Sequence, residues 1–388
     1  VDEATFSLAP CGPIDRIQEK IGLARPGMKH LLGRGVLMGL IAWLPLVVMT
    51  LLIPRAQSPT SITFLQDIAA HVRFLVVIPL LVVIEASIGA RTNMVISDLV
   101  PSGLVIEEDL PRFRSAVQSA GKMAQSNWAE AALLVITAAC VWIASRSLVS
   151  DNAVFWYEDV TATGTHLSWM GRWYMFVSTP LMVFLFLRWG WRYFVWARFL
   201  RRTSKLNLRI SHTHPDRSGG LAFVNVGHTA FAAVGFAASC MVAAAASNRI
   251  LYEGAHLKDY QSVIIGFIVV SVVLGLAPLF AFLPTLVRAK RRGLIEYGRF
   301  GSRYVQAFEE KWVRSDAKPK EPMLGSSDIQ SLADLGGSYE RLDNMRVVPF
   351  DRRTAFVFAF ASAAPVLPLL LMVMPLREII SLLLKTMM

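Results

Sequence analysis

Apolar residues run along this chain in long unbroken blocks, not in the short periodic stripes of a soluble fold. A spanning helix needs about 20 mostly apolar residues to cross a bilayer core about 30 Å thick. Backbone groups in lipid must bond within their own segment, so such blocks read as helices. Seven blocks qualify: Gly35 to Pro54, Phe74 to Ala90, Ala129 to Ser147, Trp173 to about Phe194, Leu221 to Ala246, Val263 to Val287 and Ala355 to Leu376. The pattern predicts an all-α, polytopic membrane helix bundle of about seven spans. Trp169, Trp173 and Tyr174 at one end of the fourth block, and Trp189, Trp191 and Trp196 at the other, form the paired aromatic belts expected at the two membrane interfaces.

The polar segments between the blocks divide the chain. Residues 1–34 read as a cytoplasmic N-terminal segment with an amphipathic helix over residues 12–30, where Ile14, Ile17, Ile21 and Leu23 alternate with charges. Residues 35–287 hold six spans, residues 288–353 a small helical cytoplasmic insert, and residues 354–388 the last span and an outer interfacial tail. Within the insert, Gly293 to Val313 predicts a helix and Asp316 to Pro322 a linker. Ser327 to Gln330 has the Ser-x-x-Gln form of a capping box. It opens a short helix that Gly336-Gly337 is expected to end, with another helix from Ser338. The helix of the fourth block is expected to continue inward past its apolar end.

Composition supports this architecture. Of 388 residues, 54% are hydrophobic and only 17% charged, where a soluble domain carries about 25% charged. Three cysteines exclude a disulfide scaffold. The 39 Lys and Arg are unevenly shared: alternate segments hold five, four, eight and fourteen on one side and two each on the other. By the positive-inside rule the N-terminus is cytoplasmic. The net charge of +11 is therefore a topology signal, and no nucleic-acid partner is expected. The acidic, polar start ahead of the first block does not have the form of a cleavable signal peptide.

Ionisable groups at membrane depth are costly and mark functional positions. Glu85, Glu130, Asn225 and His228 all fall in the inner half of their spans, which points to a polar ion or proton site near the inner leaflet. The bland alternatives are a Glu130 that reaches the headgroups and a His228 bonded to a backbone carbonyl. Before the fifth block, His212, His214 and Asp216 offer imidazole and carboxylate ligands for a divalent metal, zinc or iron. The alternative there is a turn that caps the next helix, with Gly219-Gly220 allowing close backbone passage. Arg198, Arg201, Arg202 and Lys205, spaced i, i+3, i+4, i+7, share one helix face suited to anionic lipid headgroups, and Arg217 beside a helix N-terminus adds an anion-binding group. Gly235, Ser239 and Ala243 form a small-residue seam for close helix contact, at the centre of the bundle or in a subunit interface.

The strings His214-Pro215-Asp216-Arg217-Ser218-Gly219-Gly220-Leu221 and Asp328-Ile329-Gln330-Ser331-Leu332-Ala333-Asp334-Leu335 resemble ones found in uncharacterised bacterial inner-membrane proteins. The resemblance covers the C-terminal half, implies a bacterial inner (plasma) membrane and carries no activity. Three classes of function fit the sequence. The first is a channel or transporter for a small ion or proton, as a homo-oligomer or in a larger complex, favoured by the intramembrane carboxylate and by Pro45, Pro79, Pro180, Pro278 and Pro284. The second is a membrane-embedded metal-dependent enzyme, and the third an accessory or scaffold subunit.

Overall fold

The computed structural model describes residues 28–52, 63–147, 156–161, 164–314 and 326–369. Most of the amphipathic segment over residues 12–30, the linker before Ser326, the end of the seventh block and the C-terminal tail lie outside the described residues. The fold is an all-α membrane-type bundle. Its helices are α1 (Met28–Leu52), α2 (Ile68–His71), α3 (Ile78–Asp98), α4 (Leu110–Ala124), α5 (Asn127–Ser147), α6 (Trp169–Trp173), α7 (Thr179–Thr203), α8 (Val224–Thr229), α9 (Ala232–Tyr252), α10 (Leu257–Leu276), α11 (Leu283–Trp312), α12 (Ser327–Asp343) and α13 (Arg352–Ala363). One hairpin, β1 (Glu158–Thr161) with β2 (Gly164–Leu167), pairs antiparallel with Glu158 opposite Leu167.

Among the described residues six helical stretches are long and apolar enough to cross a membrane: His30–Leu52, Ile68–Asp98, Asn127–Arg146, Trp169–Thr203, Val224–Tyr252 and Leu257–Trp312. The expected seventh reaches only Leu369 within the described residues, as α13 and the turn after it. Several spans leave wide apolar faces uncovered by protein. Examples are Val135 and Ile143 on α5, and Val263, Val269 and Val273 on α10, each more than half exposed. Faces of that size call for an apolar medium, which a bilayer supplies.

Prolines shape the spans. The second and fourth enter as single π-turns, Val72–Val77 and Tyr174–Ser178. Each is followed within two residues by a proline, Pro79 or Pro180. A proline ring clashes with the carbonyl four residues back, and the turn widens so that Ile78 N–H reaches Arg73 O and Thr179 N–H reaches Tyr174 O. In the sixth span a tighter 3₁₀ stretch, Ala277–Phe282, has Pro278 in its first turn, and Pro284 stands in the first turn of the helix that follows. Pro45, by contrast, lies inside α1 without interrupting it.

Close approach is set by glycine. Gly35 and Gly39, one turn apart on α1, lie against the second span, where a Cβ at Gly39 would stand 2.5 Å from the Phe74 carbonyl oxygen. The expected seam on the fifth span is also buried inside the chain: Ser239 Oγ donates to the Ser362 carbonyl, and Ser362 Oγ to Ser271 Oγ at 2.7 Å. At the end expected to face outward, Asp67 ties three elements together. Its Oδ1 accepts from Ala70 N–H at 2.9 Å and Asn248 Nδ2 at 2.7 Å, and its Oδ2 from Trp156 Nε1 at 2.8 Å.

Two boundaries in the insert differ from expectation. The helix cap is Ser326, which accepts from Asp328 N–H at 3.2 Å. α12 then runs straight through Gly336 and Gly337 to Asp343. Neither glycine has a positive φ, so neither adopts the left-handed geometry that stops a helix. The helix is held instead from α11, where Lys311 Nζ lies 2.7 Å from Asp328 at its start and Lys290 Nζ donates at 2.6 Å to the Asp343 carbonyl at its end.

Gly39→Ala is expected to destabilise the bundle by about 1–3 kcal/mol, because backbone cannot yield to the new methyl. Gly33→Ala, with open space around it, should be neutral or slightly stabilising. Equilibrium unfolding in mixed micelles measures both.

Candidate functional site

Of the four groups expected to share one inner pocket, Glu85, His228 and Asn225 are each held by different side-chain or backbone partners. Glu85 is 3% exposed and accepts from Arg34 Nη2 on α1 and, at 2.7 Å, from Arg192 Nη1 on α7. Arg188 Nη1, one turn before Arg192, lies 3.8 Å from the same carboxylate oxygen. A carboxylate at membrane depth is thus surrounded by guanidinium groups from two other spans. The G-x-x-x-G spacing of Gly35 and Gly39 brings α1 close enough for Arg34 to reach it. Trp189 completes the setting: its ring lies 5.0 Å from the Arg192 guanidinium carbon, and its Nε1 donates at 2.8 Å to Leu81 O.

His228 is fully buried at the end of α8, where the fifth span breaks before α9. Its Nδ1 accepts from Trp196 Nε1 at 3.3 Å and its Nε2 meets the Gly275 carbonyl. The neighbouring Leu274 carbonyl accepts from the Tyr193 hydroxyl. The cause is Pro278, which has no N–H to offer the carbonyl four residues back. Two side chains from other spans satisfy a backbone that lipid cannot. Asn225 donates to Thr354 Oγ1, which donates in turn to Asp351 Oδ1 at 3.0 Å. Glu130 is buried at the start of α5 beside a groove formed with α4 and α7. None of the hydrogen bonds described for these residues joins two of the four.

The 211–222 loop is braced from inside. Asp216 Oδ1 accepts from Ser218 N–H at 2.8 Å and Gly220 N–H at 3.1 Å, and Oδ2 from Ala222 N–H at 3.0 Å. His214 Nδ1 lies 2.8 Å from Oδ1. Burial alone would raise the Asp216 pKa, but the N–H groups of Ala222, Ser218 and Gly220, with His214, hold it below the usual carboxylate range. His212 packs elsewhere, against Gly293 and the Tyr297 ring on α11. Among the described residues no group of three or more His, Cys, Asp or Glu is placed to hold a metal ion. The N–H groups that an anion beside Arg217 would need are those Asp216 accepts. Arg217 itself turns back with φ 55° and gives its carbonyl to Arg346 N–H at 2.7 Å.

The basic face of α7 has a different setting. Arg198, Arg201, Arg202 and Lys205 all line one groove of about 1030 Å³ between the end of α7 and the α10–α11 junction. Arg288 of α11 is a fifth cation there, and Phe194, Leu274, Pro278 and Phe280 supply apolar wall. No carboxylate lines the groove among the described residues, and none of the five cations forms an ion pair with one. Tyr193, whose hydroxyl caps Leu274, also lines it. The groove therefore borders the proline-broken stretch that His228 supports.

Sequence reasoning missed Arg34, Arg188, Arg192 and Arg288 as site residues. All four count among the basic connecting segments. Their i, i+4 spacing (Arg188, Arg192) inside a tryptophan-rich apolar run was the available signal for the α7 pair. Arg34 sits immediately before Gly35, at the start of the G-x-x-x-G motif.

Glu85→Gln leaves several buried guanidiniums around a neutral group and should cost about 3–5 kcal/mol of stability. Glu310→Gln, at an exposed position on α11, should stay within about 0.5 kcal/mol. Both are read from unfolding in micelles. For Asp216 the folded pKa lies below an unfolded value of about 3.9. Its stabilising contribution is thus present above that unfolded value and is lost as pH falls through the depressed folded one. Thermal melts between pH 6 and pH 3 should show a smaller acid loss in Asp216→Asn than in the parent.

No family model, curated protein or solved structure matches the chain, so the chemistry of the groove and of the buried charges carries the functional reading.

Proposed function

We propose that this multi-pass membrane protein binds an anionic amphiphile of the phospholipid class in the groove between α7 and the α10–α11 junction. One observation carries the reading: five cations that have no carboxylate partner among the described residues stand over an apolar wall at one end of the bundle. Clustered Lys and Arg beside a spanning helix attract anionic headgroups by about 1 kcal/mol per residue near the surface. The apolar wall takes the acyl chain in the same site. The sidedness of the charge count supports placing this end at the cytoplasmic leaflet, and the resemblance of the 214–221 and 328–335 strings supports a bacterial inner membrane.

A second reading, passage of a small ion or proton, is supported by the departures from α geometry in the second, fourth, fifth and sixth spans. Interrupted helices at membrane depth mark transport sites when they line a cavity. Glu85, clamped by arginines, serves in that reading as a charge that must be released for the bundle to open.

For the first reading, the purified chain should bind phosphatidylglycerol in preference to phosphatidylcholine, with at least about tenfold weaker binding in 500 mM than in 50 mM salt, where screening is strong. Equal affinity for the two lipids would sink it. In sealed liposomes, an ion flux that Glu85→Gln abolishes in folded protein would favour the second reading. A flux untouched by that change removes Glu85 from it.

A further inference from the structure

We infer that the groove selects a headgroup ending in a phosphomonoester or diphosphate, carrying two or more negative charges and no cation. The inference rests on the reading that the groove holds an anionic amphiphile, and it narrows the chemistry of that ligand.

The neutral hydroxyls of the groove have spent their protons inward. Tyr193 donates to Leu274 O, Ser204 Oγ to Arg201 O at 3.0 Å, and Thr285 Oγ1 to Ser204 O at 3.1 Å. The remaining side-chain donors are guanidinium and ammonium groups, so recognition runs through charge-assisted bonds to acceptor oxygens. Among the described lining residues no carboxylate is present to receive an ammonium. An ethanolamine or choline headgroup would put its own cation among five others. A phosphodiester brings one negative charge to that field, a terminal phosphate or diphosphate two or more, and each added charge gains from every cation around it. Arginine adds the planar fork that matches phosphate oxygens. Four of the five cations are arginines. A free phosphate compound shares the headgroup chemistry, but it leaves Phe194, Leu274 and Phe280 without a partner, and this favours a lipid.

The full-length chain in detergent micelles is titrated with phosphatidic acid, phosphatidylglycerol and phosphatidylethanolamine of identical acyl chains, and with inorganic pyrophosphate. At pH 7.5 phosphatidic acid is expected to bind at least about tenfold tighter than phosphatidylglycerol. The advantage should shrink below about pH 6, where a phosphomonoester dianion takes up one proton and becomes a monoanion. Pyrophosphate should displace the lipid while binding more weakly than it does. The double variant Arg201→Gln/Arg288→Gln, folded by its thermal melt, should lose the advantage, and Arg201→Lys/Arg288→Lys should keep most of it. Phosphatidylglycerol binding as tightly as phosphatidic acid overturns this inference and leaves the anionic-lipid reading standing. Phosphatidylethanolamine binding equally well overturns both. Pyrophosphate binding as tightly as the lipid assigns the groove to a soluble phosphate compound and overturns the lipid half.

Discussion

A carboxylate with guanidiniums packed around it cannot be left half-assembled inside a membrane. Removing water from an isolated charge costs several kcal/mol even after relaxation, and that penalty is offset only when every partner is in place. Glu85 belongs to the second span, Arg34 to the first, and Arg188 and Arg192 to the fourth. Their meeting therefore fixes the positions of three spans together. Backbone contact has to permit it, and the absence of side chains at Gly35 and Gly39 does so. Van der Waals packing and ionic pairing are thus coupled here: loosening the helix contact would also separate the charges.

The proline-interrupted spans obey a related constraint. Lipid provides no hydrogen-bonding partner, so each carbonyl that a proline strands must be met from within the protein. In the second and fourth spans the turn ahead of the proline widens, with Ile78 N–H on Arg73 O and Thr179 N–H on Tyr174 O. In the sixth, Tyr193 and His228 reach across from other spans to Leu274 and Gly275. His228 is thereby a structural acceptor and donor in a dry core, ringed by Tyr193, Phe231 and Phe358. The same interruption leaves space between α7 and the α10–α11 junction, and the groove lies there. Its cations come from the end of one span and the start of the helix that continues another.

Local signals in the sequence were dependable where one element satisfied its own needs. Asp216 illustrates this in part: its carboxylate accepts three N–H groups of its own loop, as a turn there requires, while the helix that follows starts at Val224 without a side-chain cap. Gly336-Gly337 illustrates the reverse. A pair of glycines permits a helix to end but does not compel it, and contacts from Lys290, Tyr304 and Lys311 keep α12 helical past them.

The amino-acid order alone determined that the chain is helical and membrane-spanning, because each apolar block must bond its own backbone and that requirement is local. It also determined that Arg198, Arg201, Arg202 and Lys205 share a face, since helical periodicity depends on nothing distant. Which helix each face meets was decided only in three dimensions. Glu85, Asn225 and His228 look alike at a common depth, yet rotation about each helix axis sends them to different neighbours. Pairing between spans depends on those rotations and on glycine-sized gaps, and neither is encoded in the periodicity of a single segment.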